Sequence, residues 1–159
     1  SFAMAYAKAQ ISAGNDLPLE GTVFVTVNDR DKETVTPIVR RLHDMGFRLM
    51  GTEGTSRYLN TRGVPCERVF KVGEGRPHVV DRIISGDVSL LINTPFGKKS
   101  QYDDYAMRRA AITYKVPYLT TMSAAAAASD AILALRSRRH EVRSVQERTG
   151  VAASAVVVA

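Results

Sequence analysis

What this chain lacks narrows its chemistry first. Cys66 is its only cysteine, so neither an internal disulfide nor a cysteine-rich metal site can form. The three histidines, His43, His78 and His140, are scattered without ligand spacing and read as surface or helix residues, not metal ligands. No apolar run reaches the roughly 18 residues that a transmembrane helix needs. No Ser–His or Cys–His arrangement marks a nucleophile. A lone thiol and no membrane segment point to a reducing, cytoplasmic compartment.

What is present describes one well-cored domain. The chain has 159 residues, 45% hydrophobic and 24% charged, which is ordinary for a globular protein and short for two domains. Its net charge is +6. That excess forms no basic stripe interleaved with aromatics, so nucleic acid is the weaker choice of partner. A dense part of it, Arg136-Ser137-Arg138-Arg139-His140, is expected just past a helix, where cations suit the C-terminus.

Strand-like and helix-like segments alternate along the sequence. Strands are expected at Val23 to Val27, Phe47 to Met50, Val64 to Phe70, Val88 to Ile92 and Tyr118 to Thr120. Helices are expected over Glu33 to Met45, Thr55 to Thr61, Arg76 to Ser85, Tyr102 to Lys115 and the alanine-rich Ser123 to Arg136. Gly46 stands as the C-cap of the first of these. The pattern predicts an α/β fold in three layers, α/β/α, around a five-stranded parallel sheet of Rossmann-like type. Ser1 to Gly14 reads as a leading helix with no obvious partner in the rest of the sequence, Asn15 to Gly21 as a linker, and Val151 to Ala159 as a poorly ordered tail.

Ligands of such sheets bind at the carboxyl ends of the strands, near the topological switch point. The loops expected there are Asn28 to Lys32, Thr52 to Thr55, Lys71 to His78 and Asn93 to Lys99. Lys71-Val72-Gly73-Glu74-Gly75-Arg76-Pro77-His78 joins two glycines to two cations, with Pro77 set for a first helical turn. By itself it reads equally as a solvated turn or an anion-binding loop. Thr52 and Thr55 offer hydroxyls beside Gly54 at a helix start, Lys32 opens another helix, and Asn93-Thr94 add an amide and a hydroxyl. Thr55 alone also suits an N-cap. Four such loops on one rim favour a phosphorylated small molecule. Asp29 and Asp31 sit in the first of these loops and Glu53 in the second, the aspartates suit capping, and binding without chemistry is the better reading.

Taken together, V-N-D-R-D-K at 27–32, G-T-E-G-T at 51–55, K-V-G-E-G-R-P-H at 71–78, I-N-T-P at 92–95 and Y-K-V-P-Y-L-T-T at 114–121 resemble the methylglyoxal-synthase-like (MGS-like) domain. Within that superfamily they resemble the C-terminal allosteric domain of carbamoyl phosphate synthetase large subunits. The resemblance implies residues 1–20 as the end of a preceding synthetase domain and linker, 21–147 as the MGS-like allosteric domain, and 148–159 as a flexible tail. It implies a nucleotide monophosphate effector, UMP or IMP, held by Thr26, Lys32, Thr52, Gly54, Thr55, Lys71, Arg76, Asn93 and Thr94. Tyr118 and Thr120 match positions facing the synthetase domain and its ornithine site. The parent implied is a glutamine-hydrolysing, ATP-dependent ligase of pyrimidine and arginine biosynthesis. It uses ATP with Mg or Mn and K and pairs with a glutaminase small subunit. No cofactor, metal or catalytic residue is expected in this domain, and neither nucleic acid nor membrane as partner.

Methylglyoxal synthases carry H-D-x-x-K in the first loop, G-G-D in the third and an aspartate before proline in the fourth. Here Asn28 replaces the histidine, while Asp29 and Lys32 remain; Arg76 and Thr94 stand at the two aspartate positions. A permanent cation cannot act as a general base, but it strengthens anion binding. Two departures bear on the effector: Pro95 stands where a threonine is common, and Glu53 sits beside the phosphate loop. An enzyme of methylglyoxal synthase or IMP cyclohydrolase type, acting on a small phosphorylated substrate, is the alternative reading.

Overall fold

The computed structural model describes residues 1–12, 16–95, 97 and 101–149. Its elements alternate as α1 (Phe2–Ser12), β1 (Thr22–Thr26), α2 (Lys32–Asp44), β2 (Arg48–Gly51), α3 (Glu53–Thr61), β3 (Glu67–Arg68), α4 (Val79–Ile84), β4 (Leu90–Asn93), α5 (Gln101–Thr113), β5 (Tyr118–Leu119) and α6 (Met122–Thr149), with a 3-10 turn at Asp29–Asp31. The five strands lie in the order β3-β2-β1-β4-β5 and every pairing is parallel. The backbone winds outward from β1 first to one side and then to the other, so the switch point falls between β1 and β4.

Side chains of the central strands alternate between two cores, as a period of two requires. Val23, Val25 and Val27 enter one core, with Leu90 and Ile92, against α2, α3 and α6. Phe24 and Leu91 enter the other, against α4 and α5. All of β1 and β4 is buried, which explains their continuous apolar runs. Phe24 is fully buried, and truncating it to alanine is expected to cost about 3–5 kcal/mol. The expected three-layer α/β/α fold is the one found.

Element ends differ from the sequence expectation for identifiable reasons. Of the expected third strand, only Glu67 and Arg68 pair with β2, beside Met50 and Gly51, while Phe70 makes a single parallel bridge to His78. The helix expected from Arg76 begins at Val79, because His78 caps it: its Nδ1 accepts from the Asp81 N–H at 3.3 Å, while Asp81 Oδ2 accepts from the His78 N–H at 3.0 Å. His78 is therefore a buried cap, and Pro77 precedes the helix instead of opening it. The last helix runs to Thr149, since no glycine or proline interrupts the sequence between Pro117 and Gly150. The basic cluster at Arg136 to His140 thus lies within a helix, not past its end. The leading helix is not unpartnered either, for α1 packs on α6 and Ala7 is fully buried. Leu17, in the expected linker, joins the same core. The segment from 150 onward lies outside the described residues.

Candidate anion-binding site at the carboxyl edge of the sheet

The end of β1 is spliced to its neighbours by threonine hydroxyls. Past Thr26 the ladder runs out, because β2 turns into α3 and β4 into its loop. Val27 N–H then donates to Thr55 Oγ1 at 3.2 Å, and Asn28 N–H donates to Thr94 Oγ1 at 3.0 Å. Thr55 and Thr94 are 1% and 2% exposed, so each replaces a carbonyl acceptor that the sheet no longer supplies. Thr55 is not the N-cap of α3; Thr52 holds that position, in extended conformation. Thr26 and Thr52 hydroxyls pair at 2.8 Å across the ends of β1 and β2.

These ends meet around a narrow cleft of about 10 Å3, lined by Thr26, Thr52, Lys71, Val79, Asp103, Asp104 and Met107. Larger concavities lie elsewhere: about 530 Å3 between α2 and α3, and about 560 Å3 along α6. Neither contains any residue of the strand-end loops. The chemistry therefore selects the smaller cleft.

Lys32 reaches the start of α3, the helix that Thr52 caps. Its side chain is 15% exposed, its Nζ meets Asp29 at 2.6 Å, and a Cβ on Gly54 would lie 3.4 Å from that Nζ. The Asp29 carboxyl is held below the usual carboxylate range by its hydrogen bond to Lys32. The ammonium thus lies against the start of α3, where N–H groups favour anions. Glu53, the acid expected to disturb this loop, turns away to Arg57 at 2.6 Å and Arg68 at 3.3 Å. Its charge is balanced on the rim.

Asn93 ends β4, is 2% exposed, and donates through Nδ2 to Asp104 Oδ1 at 3.0 Å and to the Tyr118 hydroxyl at 2.6 Å. Burial pushes the Tyr118 phenol up, against the lowering effect of Asn93. Asn28, not an aspartate, caps the 3-10 turn: its Oδ1 accepts from the Asp31 N–H at 3.0 Å.

Two sequence-derived candidates fall outside this constellation. Arg76 is 77% exposed and pairs with Asp81 at 3.0 Å instead of lining the cleft. Thr120 is exposed on the segment leaving β5. Conversely, Asp103 and Asp104 line the cleft although no sequence motif singles them out. Burial pushes the Asp103 carboxyl up, Lys71 opposes this, and Asp104 and Glu74 add to it. The adjacent acids in the first turn of α5 are the only trace in the sequence. The Asn93 to Lys99 loop is only partly covered, since 96 and 98–100 lie outside the described residues. Among the described residues, no group of three or more His, Cys, Asp or Glu side chains is placed to hold a metal, and no helix is long and apolar enough to cross a membrane.

A family model described as the MGS-like domain matches residues 34–120, more than half of the sequence. The carbamoyl phosphate synthase large chain of Gemmatimonas aurantiaca is 50% identical over 146 residues, covering 92% of this chain but 13% of that protein. In Methanopyrus kandleri, the C-terminal section of the same large chain is 52% identical over 133 residues, 83% of this chain and 24% of that protein. The present sequence thus spans a small part of the curated relatives it matches. The methylglyoxal synthase of Elizabethkingia anophelis superposes with a TM-score of 0.56 at 18% identity, over 69% of this chain and 76% of that one, which speaks for the fold alone. By family match and fold together, this chain belongs to the MGS-like domain family.

Proposed function

We propose that this chain is the regulatory domain of a carbamoyl phosphate synthetase large subunit, and that its strand-end cleft binds a nucleotide monophosphate, UMP or IMP, without chemical change. The observation that carries the reading is the junction of Thr26, Thr52 and Lys71 in one cleft, with the Lys32 ammonium at the start of α3. Hydroxyls, an ammonium and a helix start are the donors that a phosphate monoester requires. The likeness to the C-terminal sections of synthase large chains supports a parent with a preceding synthetase domain, and a glutaminase small subunit is proposed as the partner of that parent. Tyr118, tied to Asn93 and half-buried at the sheet edge, then faces the synthetase side.

Calorimetry with UMP and IMP tests this. Lys71→Ala should weaken binding by about 1.5–3 kcal/mol, the range for a hydrogen bond to a charged group. Unchanged affinity would move the phosphate elsewhere, and no binding at all would remove nucleotides as ligands.

One observation favours a rival enzymatic reading: Asp103 is a carboxyl of raised pKa in the same cleft. Formation of methylglyoxal from dihydroxyacetone phosphate above a buffer blank would establish it. We expect none, since Arg76 is bound to Asp81 and Thr94 to the Asn28 N–H, and neither can abstract a proton.

A further inference from the structure

Helix α5 carries a row of large side chains on the face it turns to solvent. Its core face is set by Met107, Ala110 and Ala111, which are buried. Opposite them stand Tyr102, Tyr105 and Ile112, 74%, 64% and 71% exposed, with Arg109 exposed between. A single exposed apolar side chain is ordinary, but a contiguous row marks an interaction surface. The steps from Tyr102 to Tyr105, Arg109 and Ile112 are three, four and three residues. Those are the a and d positions of a heptad, which align on one helix face. Tyrosine and arginine are also side chains that protein contacts favour. Among the described residues, neither the Tyr105 ring nor the Arg109 guanidinium has a partner.

The row is complementary to itself. Laid antiparallel on a second α5 about a two-fold axis at Met107, it sets Tyr102 opposite Ile112 and Tyr105 opposite Arg109, because both pairs are centred on that residue. Each end of the row then covers an aromatic ring with an aliphatic side chain. Each middle position lays a guanidinium on a tyrosine face, a cation–π contact. A parallel pairing would set Arg109 against Arg109, and like charges repel. Ala106 and Thr113, beside the row, are short enough to let two helices approach. Arg108 follows Asp104 by four residues on the other flank, so that flank carries both signs. We propose that this face of α5 takes a second copy of the chain in antiparallel, two-fold register. Four side chains from each copy bury roughly 1,000 Å2 in all, the low end of specific interfaces, so the dimer is one of micromolar affinity. Its formation does not depend on what the cleft binds.

Sedimentation equilibrium of this chain, from micromolar to submillimolar concentration, should show monomer and dimer in exchange. Tyr105→Arg, which sets arginine against Arg109 of the second copy, should leave a monomer over the same range. Cross-linking under a mild thiol oxidant reads the register. Tyr102→Cys alone and Ile112→Cys alone hold their paired thiols about 15 Å apart along the helices, ten residues of rise, and should stay unlinked. Mixed in equal amounts, the two variants should form a disulfide-linked pair. Cys66 does not compete, since it is buried and its thiol pKa is pushed up to about 12. All three substitutions fall at exposed positions, and a melt of each variant checks its fold. A monomer at every concentration would overturn the proposal, as would a Tyr105→Arg variant that dimerises like the wild type. So would a single cysteine variant that links as fast as the mixture. A mixture that stays unlinked, in this chain or in the complete synthetase, would give the face to another occupant and overturn it too.

Discussion

Replacing Thr55 by valine removes one acceptor and almost no volume. The hydroxyl receives the Val27 N–H at 3.2 Å, with Val27 fully buried and Thr55 1% exposed. A methyl group in its place keeps the packing and leaves that N–H without partner or water. Orphaning a buried donor costs about 1–3 kcal/mol. For a protein of this length each kcal/mol lowers Tm by about 2–4 °C, so the expected fall is roughly 2–12 °C. Thr55→Ser supplies the control, restoring the acceptor while losing one methyl, worth about 0.8 kcal/mol. Urea unfolding gives the size of each loss, and hydrogen exchange at the Val27 amide gives the cause. That amide should be protected in the wild type and in the serine variant, and exchange fast in the valine variant. A valine variant as stable as wild type, with Val27 still protected, would refute the argument that threonine hydroxyls extend the sheet's ladder.

Two further outcomes follow from packing and titration. A Cβ on Gly51 would lie 2.7 Å from the Val25 carbonyl and 3.1 Å from Cys66 Sγ, and the first of these is backbone that cannot yield. Gly51→Ala should therefore lose about 3 kcal/mol in urea unfolding, the upper part of the overpacking range. The raised Asp103 carboxyl binds protons more readily folded than unfolded, so its penalty is felt at neutral pH and fades as pH falls through the folded pKa. Asp103→Asn should accordingly raise Tm near pH 7 and lose that advantage by about pH 4, read by melts across that range.

The central strands are legible in the sequence because burial on both faces favours apolar residues until the strand end, and Val23 to Val25 shows it. The strand-end site is legible for a related reason: a parallel sheet sends every loop of one edge to the same place. What stays hidden depends on offsets of two or three residues. Thr55 suits an N-cap only if the helix starts after it; α3 starts at Glu53, so the hydroxyl turns inward to the sheet. Arg76 looks poised over the anion loop, yet Asp81, five residues on, captures it. Asp103 and Asp104 reach the cleft through the path between β4 and α5, which local sequence pattern does not determine. The length of α6 escapes a pattern-based reading because an alanine-rich core segment and a charged extension look like two elements, although nothing between them breaks a helix.

The hydrogen bond from Asn93 to Tyr118 gives the proposed regulation a short route. Leu91 and Ile92 pair with Tyr118 and Leu119, so Asn93 is the first residue of β4 beyond that ladder and leans across it. An effector can change the synthetase only by binding one arrangement of the domain better than another. If it moves Asn93, the Tyr118 hydroxyl must move or lose its donor. Tyr118→Phe keeps the ring and removes that link, while Asn93 retains Asp104. Nucleotide affinity of the isolated domain should then change by about 1 kcal/mol or less, the worth of one neutral hydrogen bond. In the complete synthetase, the effector's influence on carbamoyl phosphate synthesis should fall by much of the ~1–3 kcal/mol typical of such coupling. Retention of the full response would refute the route through β5. Coupling would then have to pass through another face, and α1, packed on α6 and therefore unable to move alone, is where the search would turn.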